Sequence, residues 1–195
     1  MTDVPRWFSE TKDGHSQWYV DRFRQLAADG ADLAGEARLV DAVAAPGSRI
    51  LDAGCGPGRV GAVLHARGHT VVGVDADPVL VAAAEEDHPG PRWLVGDLST
   101  LALEEEPFDV AVVPGNVMVF VAPGTERAVL ESLRRHVRRG GRIITGFATD
   151  RELSLDAFDA DVVAAGLVLE QRFATWDLVP FGPQADFAVS FLRVP

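Results

Sequence analysis

The segment Asp52-Ala53-Gly54-Cys55-Gly56-Pro57-Gly58 limits what this chain can fold into more than any other stretch. It follows the apolar run RILDA (49–53), which reads as a short strand, and opens a helical stretch from about Arg59 to Arg67 that stops at Gly68. Alternate glycines let a backbone turn sharply and approach a ligand closely. The helix that follows directs free N–H groups toward an acceptor. A strand, a glycine loop and a helix in that order form the unit in which a doubly wound sheet holds its ligand. Asp75 ends the next apolar run, VVGVD, about twenty residues further on, where a carboxylate can accept hydrogen bonds from both hydroxyls of a ribose.

The same alternation runs along the rest of the chain. Residues 16–29 predict a helix, with Ser16 as its cap and Tyr19, Phe23 and Leu26 at helical spacing. Residues 35–45 predict a second. Asp77-Pro78 is a strong start for a helix to Asp87, with Asp as cap and Pro in the first turn. RWLVGD (92–97), FDVAVVPGN (108–116) and RIITGF (142–147) are strand candidates, and residues 125–138 and 155–165 are helices. The tail changes character: LVLEQRFATWDL, the turn PFGPQ, then DFAVSFLRV, which predicts an antiparallel hairpin. Strands alternating with helices demand a mostly parallel sheet covered on both faces. The expectation is therefore an α/β, Rossmann-like fold in one domain. Residues 1–45 form a helical cap, 48–148 a cofactor-binding core, and 149–195 the last helix and the hairpin.

A dinucleotide site shares these features, so the spacing has to decide. The dinucleotide fingerprint is G-x-G-x-x-G/A, and counting from Gly54 its last position is Arg59, too long for close helix–strand packing. The third glycine comes one residue early, at Gly58, and makes G-x-G-x-G. That spacing, preceded by LDA, resembles the first motif of class I S-adenosylmethionine-dependent methyltransferases. GVDADP resembles that family's second motif, WLVGDL its third, FDVAVVPGN its fourth-strand motif and RRGGRIITGF its fifth. The resemblance covers roughly residues 35–148 and more loosely the whole chain. It implies a seven-stranded sheet with an antiparallel last strand, S-adenosylmethionine as cofactor, and methyl transfer by in-line displacement; the core leaves few residues for extra substrate elements, which favours a small-molecule acceptor. It reaches no subgroup of known substrate. The N/D-P-P-Y/F segment of many DNA-modifying members is replaced here by PGNV (114–117).

The resemblance implies cofactor contacts from Asp52, Gly54, Cys55, Gly56 and Gly58 in the loop. It adds Asp75, Ala76 and Asp77 after the second strand, Gly96, Asp97 and Leu98 after the third, and Gly115 and Asn116 after the fourth. Tyr19 and Arg22, one helical turn apart, are candidates from a cap that closes over the site. No obligatory catalytic residue follows; His15, Tyr19 and Asn116 are candidates for polar contact near the methyl group, and only His15 is a plausible base. Cys55 reads as a small filler, and Trp176 and Phe181 as core or as substrate lid. Two rival functions remain open, a non-catalytic S-adenosylmethionine binder and an NAD-dependent oxidoreductase. A Tyr-x-x-x-Lys pair is missing, since Lys12 is the sole lysine.

Composition narrows the partners. A formal net charge of −11 repels phosphate backbones, so nucleic acid is not an expected substrate. The arginines at 134, 135, 138, 139 and 142 read as a solvated helix end, where positive charge suits the dipole. One cysteine excludes an internal disulfide framework, and no His/Asp/Glu grouping has metal-ligand spacing. No apolar run reaches the ~18 residues of a membrane span. The polar N-terminus lacks the order of a secretory signal, so the expected location is cytoplasmic.

Overall fold

A computed structural model describes residues 4–195. In chain order the elements are α1 (Arg6–Ser9), α2 (His15–Ala28), α3 (Gly35–Val43), β1 (Arg49–Ala53), α4 (Arg59–Ala66), β2 (Thr70–Asp75), α5 (Pro78–Asp87), β3 (Arg92–Val95), β4 (Phe108–Val113), α6 (Val117–Phe120), α7 (Glu126–His136), β5 (Val137–Ala148), α8 (Leu155–Ala164), β6 (Val168–Phe173) and β7 (Phe187–Arg193). The seven strands form one sheet in the order β3-β2-β1-β4-β5-β7-β6. The first five strands in chain order pair in parallel, and β7 runs antiparallel to both β5 and β6. The strand order reverses between β1 and β4, the switch point at which an open α/β sheet leaves a crevice beyond its carboxyl edge.

Helices cover both faces, so the central strands lack polar alternation: Ile50, Leu51, Asp52 and Ala53 are all buried. One face packs Val40 of α3 and Leu64 of α4 on Ile50, Val110, Val112 and Ile144. The other packs Leu130 and Leu133 of α7 and Phe158 of α8 on Leu51, Phe108, Val113 and Phe147.

Three local expectations are corrected, and two short helices were not foreseen. Ser16 does not cap α2; Gly14 does, in the left-handed region, and the Ser16 hydroxyl donates to Asp77 instead. The helix expected over 125–138 stops at His136, and the chain enters β5 at once, so Arg138 and Arg142 lie on a strand and pair with Asp109 and Glu170. Among the arginines at 134, 135, 138, 139 and 142, only Arg134 and Arg135 belong to the last turn of α7. The single-turn helices α1 and α6 had no periodicity to read, because one turn cannot show a period of 3.6 residues.

Candidate functional site

A cavity of about 250 Å³ lies at the carboxyl edge of the sheet over the β1/β4 switch point. Its floor is the glycine loop. Gly54 and Cys55 both donate backbone N–H groups to the Val74 carbonyl, at 2.7 and 3.0 Å, which locks the loop to the end of β2. The three glycines do different work. A Cβ on Gly54 would lie 2.3 Å from Val117, and one on Gly58 would lie 2.9 Å from Ala84 and 3.0 Å from Trp93. Those two are glycine because the protein's own side chains occupy the space. Gly56 has a φ of +52°, and a Cβ there would meet only Tyr19, at 3.9 Å. Its missing side chain opens onto the cavity.

Asp75 stands beside it. One carboxylate oxygen accepts the Gly56 N–H at 2.8 Å, and the other accepts the Asp77 N–H at 2.9 Å. Burial pushes its pKa up to about 6, against the lowering effect of those two N–H groups, so it is mainly ionised at neutral pH. Each oxygen keeps a second acceptor direction. Asp97 is held by Ser99, whose N–H and hydroxyl donate to one carboxylate oxygen at 2.8 and 2.7 Å. Asn116 follows β4, and its Oδ1 accepts the Ala148 N–H at 2.8 Å. Its amide nitrogen has no partner among the described residues.

The roof comes from the N-terminal segment. Arg6 reaches one rim, where its guanidinium donates to the Val119 carbonyl at 3.1 Å and to Glu126 at 3.2 Å. Trp7 reaches the other, where its indole N–H donates to Asp77 at 2.7 Å. Between the two rims the Trp7 ring packs edge-on against Tyr19 and Phe120, with centroids 5.4 and 5.7 Å apart. Asp77 thus accepts from Val79, Trp7 and Ser16; it caps α5 and pins the roof to the core.

The cavity brings together Tyr19, Gly54, Cys55, Gly56, Asp75, Ala76, Asp97, Leu98, Gly115 and Asn116 among the residues singled out from the sequence. It does not include His15, Arg22, Asp52, Gly58, Asp77 or Gly96. His15 stacks outside the roof, 4.9 Å from Trp7 and 5.2 Å from Trp18. Arg22 lies over Trp18 at 5.4 Å and does not share the Tyr19 packing. Asp52 is fully buried beneath the loop. Its Oδ2 accepts the Gly61 N–H at 2.8 Å, its Oδ1 has no partner, and burial pushes its pKa up to about 7. The Gly96 N–H ties the end of β3 to the Asp75 carbonyl at 2.9 Å. Trp176 packs on Gly146 and Phe181 lies by Arg172, both away from the cavity.

Sequence reasoning missed Pro5, Trp7, Val117, Phe120 and Val121, which contribute to the apolar wall. It used Arg59 only against a dinucleotide, yet Arg59 lines the cavity. Its guanidinium forks onto Glu36 and donates to the Leu33 carbonyl at 2.8 Å.

Comparison with known proteins matches residues 50–141 to a family model described as a methyltransferase domain. The chain is 43% identical to a TehB-like SAM-dependent methyltransferase from Corynebacterium glutamicum. Superposition on that crystal structure gives a TM-score of 0.89 and covers 93% of this chain and 99% of the other. It is 32% identical over 141 residues to a malonyl-[acyl-carrier protein] O-methyltransferase from Pectobacterium atrosepticum, covering 72% of this chain and 53% of that relative. It is also 32% identical to a magnesium-protoporphyrin O-methyltransferase from Rhodobacter capsulatus, covering 60% of this chain and 54% of that one. The chain spans about half the length of these curated relatives.

Proposed function

The chain belongs to the S-adenosylmethionine-dependent methyltransferases, and from that premise we propose that it transfers the cofactor's methyl group to a small-molecule acceptor by in-line displacement. When bound, S-adenosylmethionine supplies a methyl group activated by a positively charged sulfur. Everything else is the work of this chain.

The observation that carries this reading is the pairing of Gly56 with Asp75. A loop glycine whose missing side chain opens onto the cavity lies against a half-buried, ionised carboxylate with two free acceptor directions. That arrangement fits a ribose whose two hydroxyls donate to Asp75 while the rest of the cofactor passes over Gly56. Asp97, steadied by Ser99, and the apolar Leu98 beside it suit the adenine. Tyr19, Ala76, Gly115 and Asn116 complete the lining that would surround the cofactor. Gly54 and Gly58 act by packing, and Asp77 acts by holding the roof.

With cofactor and acceptor in place, the roof would keep water from the reacting atoms, which strengthens the electrostatic interactions there. Positioning is then the main catalytic device, since a well-oriented pair reacts far faster than two solutes. We read the described residues as one unit in which 4–45 cap a core of 48–148, with 149–195 completing the sheet. Among the described residues no helix is long and apolar enough to cross a membrane.

The test is incubation of the protein with methyl-labelled S-adenosylmethionine and a fractionated small-metabolite extract. The reading expects label in a low-molecular-weight product and accumulation of S-adenosylhomocysteine. Binding of the cofactor without turnover in any fraction would leave a binder in place of an enzyme.

A further inference from the structure

Among the described residues, the roofed side of the cavity offers side-chain hydrogen-bond donors and no uncommitted base. Each ionisable side chain at or near it among the described residues has another commitment. Asp75 and Asp97 stand on the ribose and adenine side. Arg59 is always protonated and forks onto Glu36. Cys55 packs against Val81, Ala84 and Trp93, and burial pushes its thiol well up. Asp77 already accepts from three donors. Glu126 faces Arg6, and His15 lies outside the roof. Asn116 has spent its carbonyl oxygen on the Ala148 N–H. What remains free is the Asn116 amide N–H2 and the Tyr19 hydroxyl, a phenol that burial keeps protonated.

We propose that the acceptor is a small molecule that enters as an anion at neutral pH, a thiolate or a carboxylate, held by the Asn116 amide and the Tyr19 hydroxyl under the Trp7 and Phe120 rings. This rests on the methyltransferase reading above. The acceptor's lone pair forms the new bond to the methyl carbon. The carbon–sulfur bond breaks with its electron pair going to sulfur, and the negative and positive charges cancel. No proton moves, so no base is required. The opposite charges meet inside an apolar enclosure, where their attraction is much stronger than in water. An alcohol or an ammonium group would have to lose a proton, and no described residue on that side could take it.

The test uses substituted thiophenols and small carboxylic acids of graded acidity, with primary alcohols and alkylamines of similar size as the opposing arm. For each thiol or acid, the rate at saturating cofactor should rise with pH only up to that acceptor's own pKa. Tyr19→Phe and His15→Gln should leave that inflection where it is, whatever they do to its height. The thiol and carboxylate arms separate the two sources of negative charge. A second readout needs no turnover. A thiol titrated calorimetrically into the protein saturated with S-adenosylhomocysteine, in buffers of different ionisation enthalpy, should release its own proton to the buffer. Retention of that proton by the complex, an inflection that vanishes in one of the variants, or transfer confined to alcohols or amines would overturn the proposal. Failure to bind S-adenosylmethionine at all would instead overturn the methyltransferase reading beneath it.

Discussion

The two sides of the cavity are built by different means. The side assigned to the cofactor is local: residues 52–77 bond to one another through backbone groups, from Gly54 and Cys55 onto Val74 and from Gly56 and Asp77 onto Asp75. The roofed side is assembled from side chains of distant segments, with Trp7, Tyr19 and Phe120 meeting edge to face. A site made of backbone conformation tolerates little change. A wall made of side-chain packing can be reshaped one residue at a time. On the proposed reading the methyl donor belongs to the rigid side, and choice of acceptor to the adaptable one.

The largest expected effect falls on the rigid side. Gly56→Val should weaken S-adenosylhomocysteine binding by at least about a hundredfold, each factor of ten being about 1.4 kcal/mol. The branched side chain would fill the space that the glycine leaves open, at a φ of +52° that disfavours it. Circular dichroism should still report a folded chain. Calorimetric binding equal to that of the parent would show that the loop is not the site.

A smaller effect is expected under the roof. Trp7→Ala removes an indole that both packs on Phe120 and donates to Asp77. It should lower kcat/KM for the acceptor by about tenfold, about 1.4 kcal/mol of transition-state stabilisation, while cofactor affinity changes much less. Equal losses in both quantities would erase the distinction between the two sides.

The smallest effect sharpens the rigid side from below. Burial raises the Asp52 pKa from the ordinary carboxylate value to about 7 in the native state. Across that window the folded chain keeps a proton that the unfolded chain has lost. Stability therefore falls as pH rises toward 7, and the cost is fully present above it. Asp52→Asn keeps an acceptor for the Gly61 N–H and removes the ionisation. It should raise Tm at pH 8 by a few degrees, at about 2–4 °C per kcal/mol for a chain of this size. The gain should shrink toward pH 5. A gain independent of pH would mean that Asp52 does not titrate there.

The same difference explains how much was legible beforehand. The alternation of strands and helices, the antiparallel tail and the loop with Asp75 follow from glycine spacing and from apolar runs of fixed length, because their function lies in the backbone. Trp7, Val117 and Phe120 left no such signal: α1 and α6 are single turns, and aromatic residues more than a hundred positions apart carry no pattern until the fold brings them together. Asp52 and Gly58 were recognised as part of the motif, but their position in the sequence could not reveal that they support the loop from beneath. Arg22 was paired with Tyr19 by helical spacing alone, and only packing shows that one turns inward and the other out to Trp18.

The most direct test of the division of labour compares two variants in the same pair of assays. Asp75→Ala should weaken S-adenosylhomocysteine binding by about ten- to a hundredfold, in line with about 1.5–3 kcal/mol for hydrogen bonds to a charged acceptor. Turnover at saturating cofactor should change much less. Asn116→Ala should do the reverse, with a modest change in cofactor affinity and the larger loss in turnover. Cofactor affinity of Asp75→Ala within about twofold of the parent, about 0.4 kcal/mol, would contradict the ribose assignment and with it the account of the rigid side.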